Sequence, residues 1–264
     1  MVFNDFEYDG RRLSDYGFVI CSFDGGEGFE TKTYGADIEF NTVPENGGQR
    51  FLLTHTTYES GIEATFYICP DPCVNNGDLC IDSDVNRQIM RWLNRKDMHW
   101  FTPIYGDCNI HFNASFVVKA QCHSGALIGY ELNMYSDSPY AYGDEQRCSF
   151  RVSAEDSYTI YDDSDEIGDI YPDVTITLLD DGDLQITSNR TEEIVTVDDC
   201  TSGETITMSH PMITTSDSNH LIHDKFNYNF IKICNTLIDN ENTFTFSLPC
   251  AVTMSYYPVR KVGV

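Results

Sequence analysis

The chain alternates apolar and polar residues in short runs, which is the pattern of β-strands that bury one face. In the run GIEATFYI, residues 62, 64, 66 and 68 are apolar and share one face. Two longer alternating runs, 110–118 and 128–134, flank the turn sequence His-Ser-Gly and predict a long antiparallel hairpin. Asn46-Gly47 predicts an earlier hairpin, which follows a polar, glycine-rich loop at residues 24–35.

One segment has the period of a helix instead of a strand. Its apolar residues follow helical spacing and form one face: Val85, Ile89, Trp92 and Leu93. Asp82 or Ser83 precedes them and can cap the helix, because a side-chain oxygen there accepts the free amides of the first turn. No second helix is predicted, so this apolar face is expected to cover a β-sheet.

Arg87, Arg91 and Arg95 repeat every fourth residue and are expected to form an outward-facing stripe on that helix. Two interpretations stay open for the stripe. It is a solvated face, or it docks on an acidic surface of a neighbouring subunit. If the stripe is only solvated, the loop at 24–35 and the hairpin at Asn46 are the alternative places for an interface.

The second half of the chain consists of shorter alternating runs spaced about ten residues apart, which predicts an antiparallel β-sandwich. It begins with an acidic, turn-rich segment, AEDSYTIYDDSDEIGDIYPD. The segment VTITLLDDGDLQIT then predicts a hairpin with an Asp-Asp-Gly turn. Further strands are predicted at EEIVTVDD, ETITMSH, FNYNFIKIC, NTFTFSLP and AVTMSYY. Ser138-Pro139 interrupts the pattern, and we place a domain boundary there, between residues 1–140 and 141–264.

Charge excludes a nucleic-acid-binding function of the usual kind. The 264 residues carry a formal net charge of −26, whereas phosphate binding requires a basic surface. The sequence has no apolar run long enough for a transmembrane helix and no apolar leader segment, so we expect no membrane partner and synthesis in the cytoplasm.

The sequence contains ten cysteines, which either form a zinc site in part or are reduced thiols. Cys69, Cys73 and Cys80 lie in CPDPCVNNGDLC, and Cys108, His111 or Cys122 is the conceivable fourth ligand. The spacing matches no usual zinc motif, and a long chain without a leader is not a disulfide scaffold. We therefore expect reduced, metal-free cysteines, some packed in the core, and no cofactor.

Four segments, in the same order along the chain, resemble the distal tail proteins of long-tailed bacteriophages. They are FEYDGRRLSDYGFVICSFDGG, QIMRWLNRKDMHWF, YSDSPYAYG and the C-terminal HDKFNYNFIKICN with NTFTFSLPCAVTMSYYPVRKVGV. The resemblance implies a mainly β fold. An N-terminal tail-tube-like β domain with one covering helix is followed by a galectin-like antiparallel β-sandwich, and the last residues return to the first domain.

The resemblance also implies a structural function in the virion and no enzymatic activity. Members form a homohexameric ring at the tail tip, which joins the tail tube to the baseplate or tail-tip hub and leaves a channel for DNA. The implied partners are the tail tube protein, the hub or tail-associated protein, the tape measure protein and receptor-binding proteins. Assembly is expected in the cytoplasm of the bacterial host.

Other functions have weaker signals. The sequence contains no catalytic motif. One acidic loop holds four carboxylates, Asp162, Asp163, Asp165 and Glu166. Two histidines lie near Asp224, namely His220 and His223, but no Ser or Cys nucleophile can be assigned to them. The acidic segments DDSDE and DDGD lack the full spacing of a calcium loop. A carbohydrate-binding sandwich acting in host attachment remains the alternative, with these tyrosines available for stacking: Tyr158, Tyr161, Tyr171, Tyr228, Tyr256 and Tyr257.

Overall fold

The computed structural model describes residues 3–23, 37–45, 48–57, 61–106, 109–236 and 238–261, with the backbone alone described for 37–57. Internal contacts divide the chain into two units. The first unit comprises Met1–Tyr142 with Lys261–Val264, and the second comprises Gly143–Arg260. The predicted loop at 24–35, the turn Asn46-Gly47 and the final residues 262–264 of the predicted tether lie outside the described residues.

The first unit is built on a seven-stranded antiparallel sheet. The strands of this unit are β1 (Asp5–Tyr8), β2 (Arg11–Arg12), β3 (Phe18–Cys21), β4 (Asp37–Glu45), β5 (Gly48–Thr57), β6 (Glu63–Pro70), β7 (His99–Ile104), β8 (Phe112–His123), β9 (Ala126–Ser136) and β10 (Ala141–Tyr142). The sheet has the order β2-β1-β7-β8-β9-β6-β3, and β4 and β5 form a separate hairpin.

The alternating runs of the first half form strands with the predicted faces. In β8, Phe112, Ala114 and Phe116 are buried, and β9 pairs with this strand in the predicted long hairpin. In β6, Ala64 and Ile68 are buried on the same face. The alternation fixes these faces because successive side chains of a strand point to opposite sides.

A helix, α1 (Ser83–Leu93), covers the buried face, as predicted. Ile89, Trp92 and Leu93 are buried, and Val85 is partly buried against the same core. A short 3-10 helix, Leu13–Tyr16, joins β2 to β3 and places Leu13 in this core.

The second unit is an antiparallel β-sandwich, which confirms the predicted mainly β fold class. Its strands are β11 (Gln146–Val152), β12 (Asp156–Tyr161), β13 (Gly168–Ile170), β14 (Asp173–Leu178), β15 (Gly182–Ser188), β16 (Val195–Cys200), β17 (Thr205–Ser209), β18 (Met212–Thr215), β19 (Ile233–Asn235), β20 (Glu241–Phe246), β21 (Cys250–Tyr256) and β22 (Val259–Arg260). One sheet has the order β11-β21-β14-β17-β18 and the other β12-β20-β15-β16, while β13 pairs with β19.

The predicted hairpin VTITLLDDGDLQIT does not form. Its two halves are β14 and β15, whose alternating apolar residues are buried, but β14 pairs with β17 and β21 while β15 pairs with β16 and β20. The Asp-Asp-Gly turn therefore carries the chain from one sheet of the sandwich to the other. Alternation predicts which side chains are buried, and two strands that face each other across a core have the same alternation as two hairpin partners.

Smaller differences also concern the second unit. The predicted strand FNYNFIKIC is a strand only at its end, in β19, and the acidic entry segment contains β12 and β13. A one-turn helix, α2 (Ile222–Lys225), buries Ile222 and was not predicted. Within the described part of the chain, no helix combines the length and the apolar character that a membrane crossing needs.

Candidate functional site

The carboxyl-terminal end of α1 forms the candidate functional site, and the cap at the other end explains where this helix begins. Asp82 Oδ1 accepts hydrogen bonds from the amides of Asp84 and Val85 at 2.9 and 2.8 Å. Of the two predicted caps, Asp82 is the one used. The cap satisfies donors that have no partner within the helix and so defines its first turn.

Trp92 fixes the helix to the sheet. Its side chain is 4% exposed, and its indole Nε1 donates to the carbonyl oxygen of Tyr8 at 2.8 Å. The ring lies parallel to Phe6, with centroids 5.6 Å apart, and stacks on Tyr16 at 4.6 Å. The hydrogen bond and the two stacked contacts together define both the position and the rotation of α1.

The arginine stripe differs from the prediction at its last member. The helix ends at Leu93, so Arg95 lies beyond it, and its guanidinium forms an ion pair with Asp9. Arg87 lies near the amino-terminal end, 3.5 Å from Asp84, with its side chain 78% exposed. Arg91 is exposed and has no ion-pair partner among the described residues.

Asp9 reaches the helix because of a tight turn between β1 and β2. Asp9 and Gly10 both have positive φ, 51° and 70°, as a two-residue type I′ hairpin requires. The turn places Asp9 between Arg95 and His99. The distance from Asp9 Oδ1 to His99 Nδ1 is 3.2 Å. The turn also brings Arg11 to the same side, where Nη1 donates to the Tyr16 hydroxyl at 2.9 Å.

These residues line a pocket of about 240 Å³. Its lining consists of Asp9, Arg11, Tyr16, Gln88, Arg91, Trp92 and Arg95. The helical arginines were predictable from their spacing in the sequence, whereas the contribution of the 9–16 segment was not predicted. The dipeptide Asp9-Gly10 was the available signal, because it favours a hairpin turn at this position. Three guanidinium groups and one carboxylate make the pocket a candidate binding site for a carboxylate.

Tyr8 is a buried residue whose carbonyl oxygen accepts the hydrogen bond from Trp92, one of the lining residues of the pocket. Burial raises the pKa of Tyr8 to about 12, although the Arg95 charge lowers this pKa and the Asp9 charge raises it further. The protonated hydroxyl donates to the carbonyl oxygen of Ala114 at 3.3 Å. Tyr8 is therefore protonated at neutral pH and joins β1 to β8.

The cysteines of the hypothetical zinc site lie in different surroundings. Cys69 is partly buried in β6, whereas Cys73, Cys80 and Cys122 are exposed. His111 bonds to Thr102 at 2.8 Å, and Cys108 lies outside the described residues. Across the described residues, no three His, Cys, Asp or Glu side chains are grouped to hold a metal ion.

The nine described cysteines are free thiols. Burial raises the pKa of Cys200 to about 11, although a hydrogen bond from the backbone at Leu184 partly offsets the rise. Burial also raises the pKa of Cys250 to about 11. These two thiols are therefore protonated at neutral pH and pack as small apolar side chains in the sandwich core.

The residues weighed for catalysis have other partners. His220 Nδ1 lies 2.6 Å from Glu204 Oε1, and both side chains are buried. Asp163 and Asp165 face Arg260, and Asp162 accepts from the Ser164 hydroxyl at 2.9 Å.

Some of the tyrosines weighed for sugar stacking are buried and others are exposed. Tyr256 is buried, and Tyr158 stacks on Phe150 at 3.7 Å. Tyr161 is exposed, as are Tyr171 and Tyr228. A series of ring contacts connects the last two: Tyr171 with His210, His210 with Phe230, Phe230 with Phe226, and Phe226 with Tyr228.

Comparison with known proteins gives matches over most of the chain. A model described as a phage tail protein N-terminal domain matches residues 1–138, and one described as a phage tail C-terminal domain matches residues 140–256. Searches of the curated proteins give no match.

Solved structures with a similar fold include two phage proteins. The Dit (gp 19.1) protein of phage SPP1 has 15% identity and a TM-score of 0.60, over 97% of this chain and 99% of its own. A chain of the phage P2 baseplate, in its activated conformation with Ca, has 8% identity and a TM-score of 0.51, over all of both chains. Since the identities are low, these two similarities support the fold, and the family matches carry the assignment. The chain belongs to the family of phage tail proteins whose N-terminal and C-terminal domains these models describe, which confirms the resemblance found in its sequence.

Proposed function

We propose that this protein forms a homohexameric ring at the distal end of a phage tail, joining the tail tube to the baseplate or tail-tip hub. The observation that carries the proposal is the likeness of the fold, over 97% of this chain, to the SPP1 Dit protein. The SPP1 protein is described as a paradigm of the hub adsorption apparatus in phages that infect Gram-positive bacteria.

In this proposal, residues 1–140 form the ring and line a channel, and residues 141–264 form the outer sandwich domain. The net charge of −26 supports a channel that DNA crosses without binding, since like charges repel. The last residues act as a tether to the first domain. The protein is structural and not an enzyme.

The proposed partners are other copies of the chain, the tail tube protein and the hub or tail-associated protein. The tape measure protein and receptor-binding proteins are further partners, and DNA is present only in transit. Assembly takes place in the host cytoplasm, and the finished ring lies at the tail tip of the virion.

The experiment is a mass measurement by light scattering behind gel filtration over a range of protein concentrations. Six chains of 30.0 kDa give a particle of about 180 kDa. A particle of that mass, seen as a six-membered ring by negative-stain microscopy, is the expected result. A species that is monomeric at all concentrations, and also when mixed with tail tubes, contradicts the proposal.

A carbohydrate-binding function of the sandwich is a second candidate, favoured by the exposed rings of Tyr171 and Tyr228. Tyr171 is 41% exposed, stacks on His210 at 4.0 Å and has Lys232 Nζ 5.9 Å from its ring centroid, so its ring is held in place. A rigid exposed ring is the usual platform for a sugar. Binding to host cell-wall glycans that Tyr171→Ala abolishes, and that the matched change Tyr161→Ala leaves intact, supports this function.

A further inference from the structure

The two ends of α1 carry opposite charge. Before and within the first turn lie the exposed carboxylates of Asp78, Asp82 and Asp84. At the other end lies the pocket with its three arginines. Asp84 and Arg91 are seven residues apart on the helix, about 10 Å along its axis, and within its own chain Asp84 contacts Arg87 and not Arg91.

Two of the three arginines in the pocket form no ion pair with a carboxylate among the described residues of their own chain. Asp9 is the one carboxylate in the lining, and Arg95 and His99 already engage its two oxygens. Arg11 donates to the neutral hydroxyl of Tyr16. Arg91 faces the pocket with no ion-pair partner among the described residues.

The proposed ring requires two different surfaces that fit each other, because each subunit in a closed ring contacts its neighbours head to tail. The ends of α1 supply such a pair of surfaces by charge. A second copy is also an acidic partner as a whole, since each chain carries 42 Asp and Glu against 16 Lys and Arg.

We propose that the arginine pocket of one copy binds the acidic segment 78–84 of the next copy in the ring. The inference rests on the proposed ring and names its contact. Arg91, together with Arg11, receives the carboxylate of Asp84 or Asp78, and planar guanidinium groups can hold a carboxylate through two parallel hydrogen bonds. Tyr16, stacked on Trp92, keeps Arg11 at the edge of the pocket.

Charge reversal with reciprocal rescue tests this contact. Arg91→Glu and Asp84→Lys are each expected to weaken self-association at least about tenfold, because each places like charges together. Both reversals in the same chain restore an opposite pair at every contact, so association is expected to return to within about threefold of wild type. Asp84 is chosen over Asp82 because Asp82 caps the helix.

The measurement is sedimentation velocity at low and high salt, with circular dichroism to verify folding. Arg151→Glu is the matched control, since it makes the same charge change at an exposed arginine of the second unit. Wild-type rings that Arg91→Glu leaves unchanged, or single losses that the double reversal does not rescue, overturn the contact but leave the ring standing. A wild-type chain that stays monomeric under all conditions overturns both.

Discussion

The two units bury their cores in different ways. Among the described buried residues, the first core contains 17 apolar side chains, of which eight are aromatic, and the second contains 23, of which four are aromatic. In the described residues, the first core lies between one sheet and α1, with Leu13 of the 3-10 helix added to it, whereas the second lies between two sheets. The described buried polar side chains are also distributed unequally, with Ser136 in the first unit and the other five in the second.

The difference shows where each unit is sensitive to substitution. In the first unit, a few large rings around Trp92 carry much of the burial, and one helix supplies that ring. In the second unit, the burial is spread over many aliphatic side chains from two sheets, and the least replaceable residues are those that satisfy buried polar groups.

Trp92→Ala is expected to cause the largest loss of stability of the variants considered. A small loss would contradict the view that a few large rings carry the burial in the first unit. Removing this ring leaves a cavity between α1 and the sheet and removes the hydrogen bond to Tyr8. The expected loss is about 3–5 kcal/mol of unfolding free energy in the first unit. Chemical denaturation followed by the fluorescence of Trp100 measures it, because both tryptophans of the chain lie in the first unit.

Trp100→Ala is the matched control for this prediction. Trp100 lies in β7 and is 39% exposed, so its removal leaves less of a cavity and costs clearly less than Trp92→Ala. Equal losses for the two variants would show that α1 is not what closes the first core.

Glu204→Gln sharpens the comparison on the side of the second unit. The buried carboxylate accepts from the Thr201 amide, the Thr215 hydroxyl and His220. A glutamine has one acceptor oxygen, so at least one donor then faces an amide nitrogen. We expect a loss of about 2 kcal/mol in the calorimetric transition of the second unit, with the first unit unchanged. A loss confined to the first unit would contradict the prediction.

The same residue predicts a pH dependence. Burial alone raises the pKa of Glu204, but the hydrogen bonds from Thr215, the Thr201 amide and His220 outweigh it and hold this pKa below its usual range. A lowered folded-state pKa means that the stabilisation is complete above the unfolded value of about 4.3 and is lost as the pH falls through the folded value. The difference between wild type and Glu204→Gln is therefore expected to shrink below about pH 4 in urea titrations. A difference that stays constant as the pH falls well below that value would be evidence against the ionised carboxylate.

Asp82→Ala tests the start of the helix. It removes the acceptor for two backbone amides, and the expected cost to the first unit is about 1 kcal/mol. Asp82→Asn keeps an acceptor and is expected to recover most of the loss. Thermal unfolding followed by tryptophan fluorescence compares the two, and an asparagine variant as unstable as the alanine variant would exclude the capping explanation.

Arg87→Gln is expected to have the smallest effect. The guanidinium is 78% exposed and its contact with Asp84 is 3.5 Å long, so the change in unfolding free energy is expected within about 0.5 kcal/mol. Urea denaturation of the isolated chain measures it. A loss above about 1 kcal/mol would show that this arginine contributes to folding of the first unit.

The candidate site was predictable in part. The spacing of Arg87, Arg91 and Arg95 placed basic groups near one another, and helix signals placed Trp92 in the core. The pairing of Arg95 with Asp9 was not predictable from spacing, because the two residues are 86 positions apart and the contact depends on how β1 and its turn approach the end of α1.

By itself, the sequence determined the period of α1 and of most strands and the buried face of these elements, and it limited the helix cap to Asp82 or Ser83. These follow from local physics, since side-chain direction repeats every two residues in a strand and about every 3.6 in a helix. Only the tertiary structure decided that β14 and β15 belong to opposite sheets and that the segment at residues 9–16 completes an arginine pocket. The reason is that a strand with one buried face has several equivalent partners, and the choice among them is made by packing over the whole core.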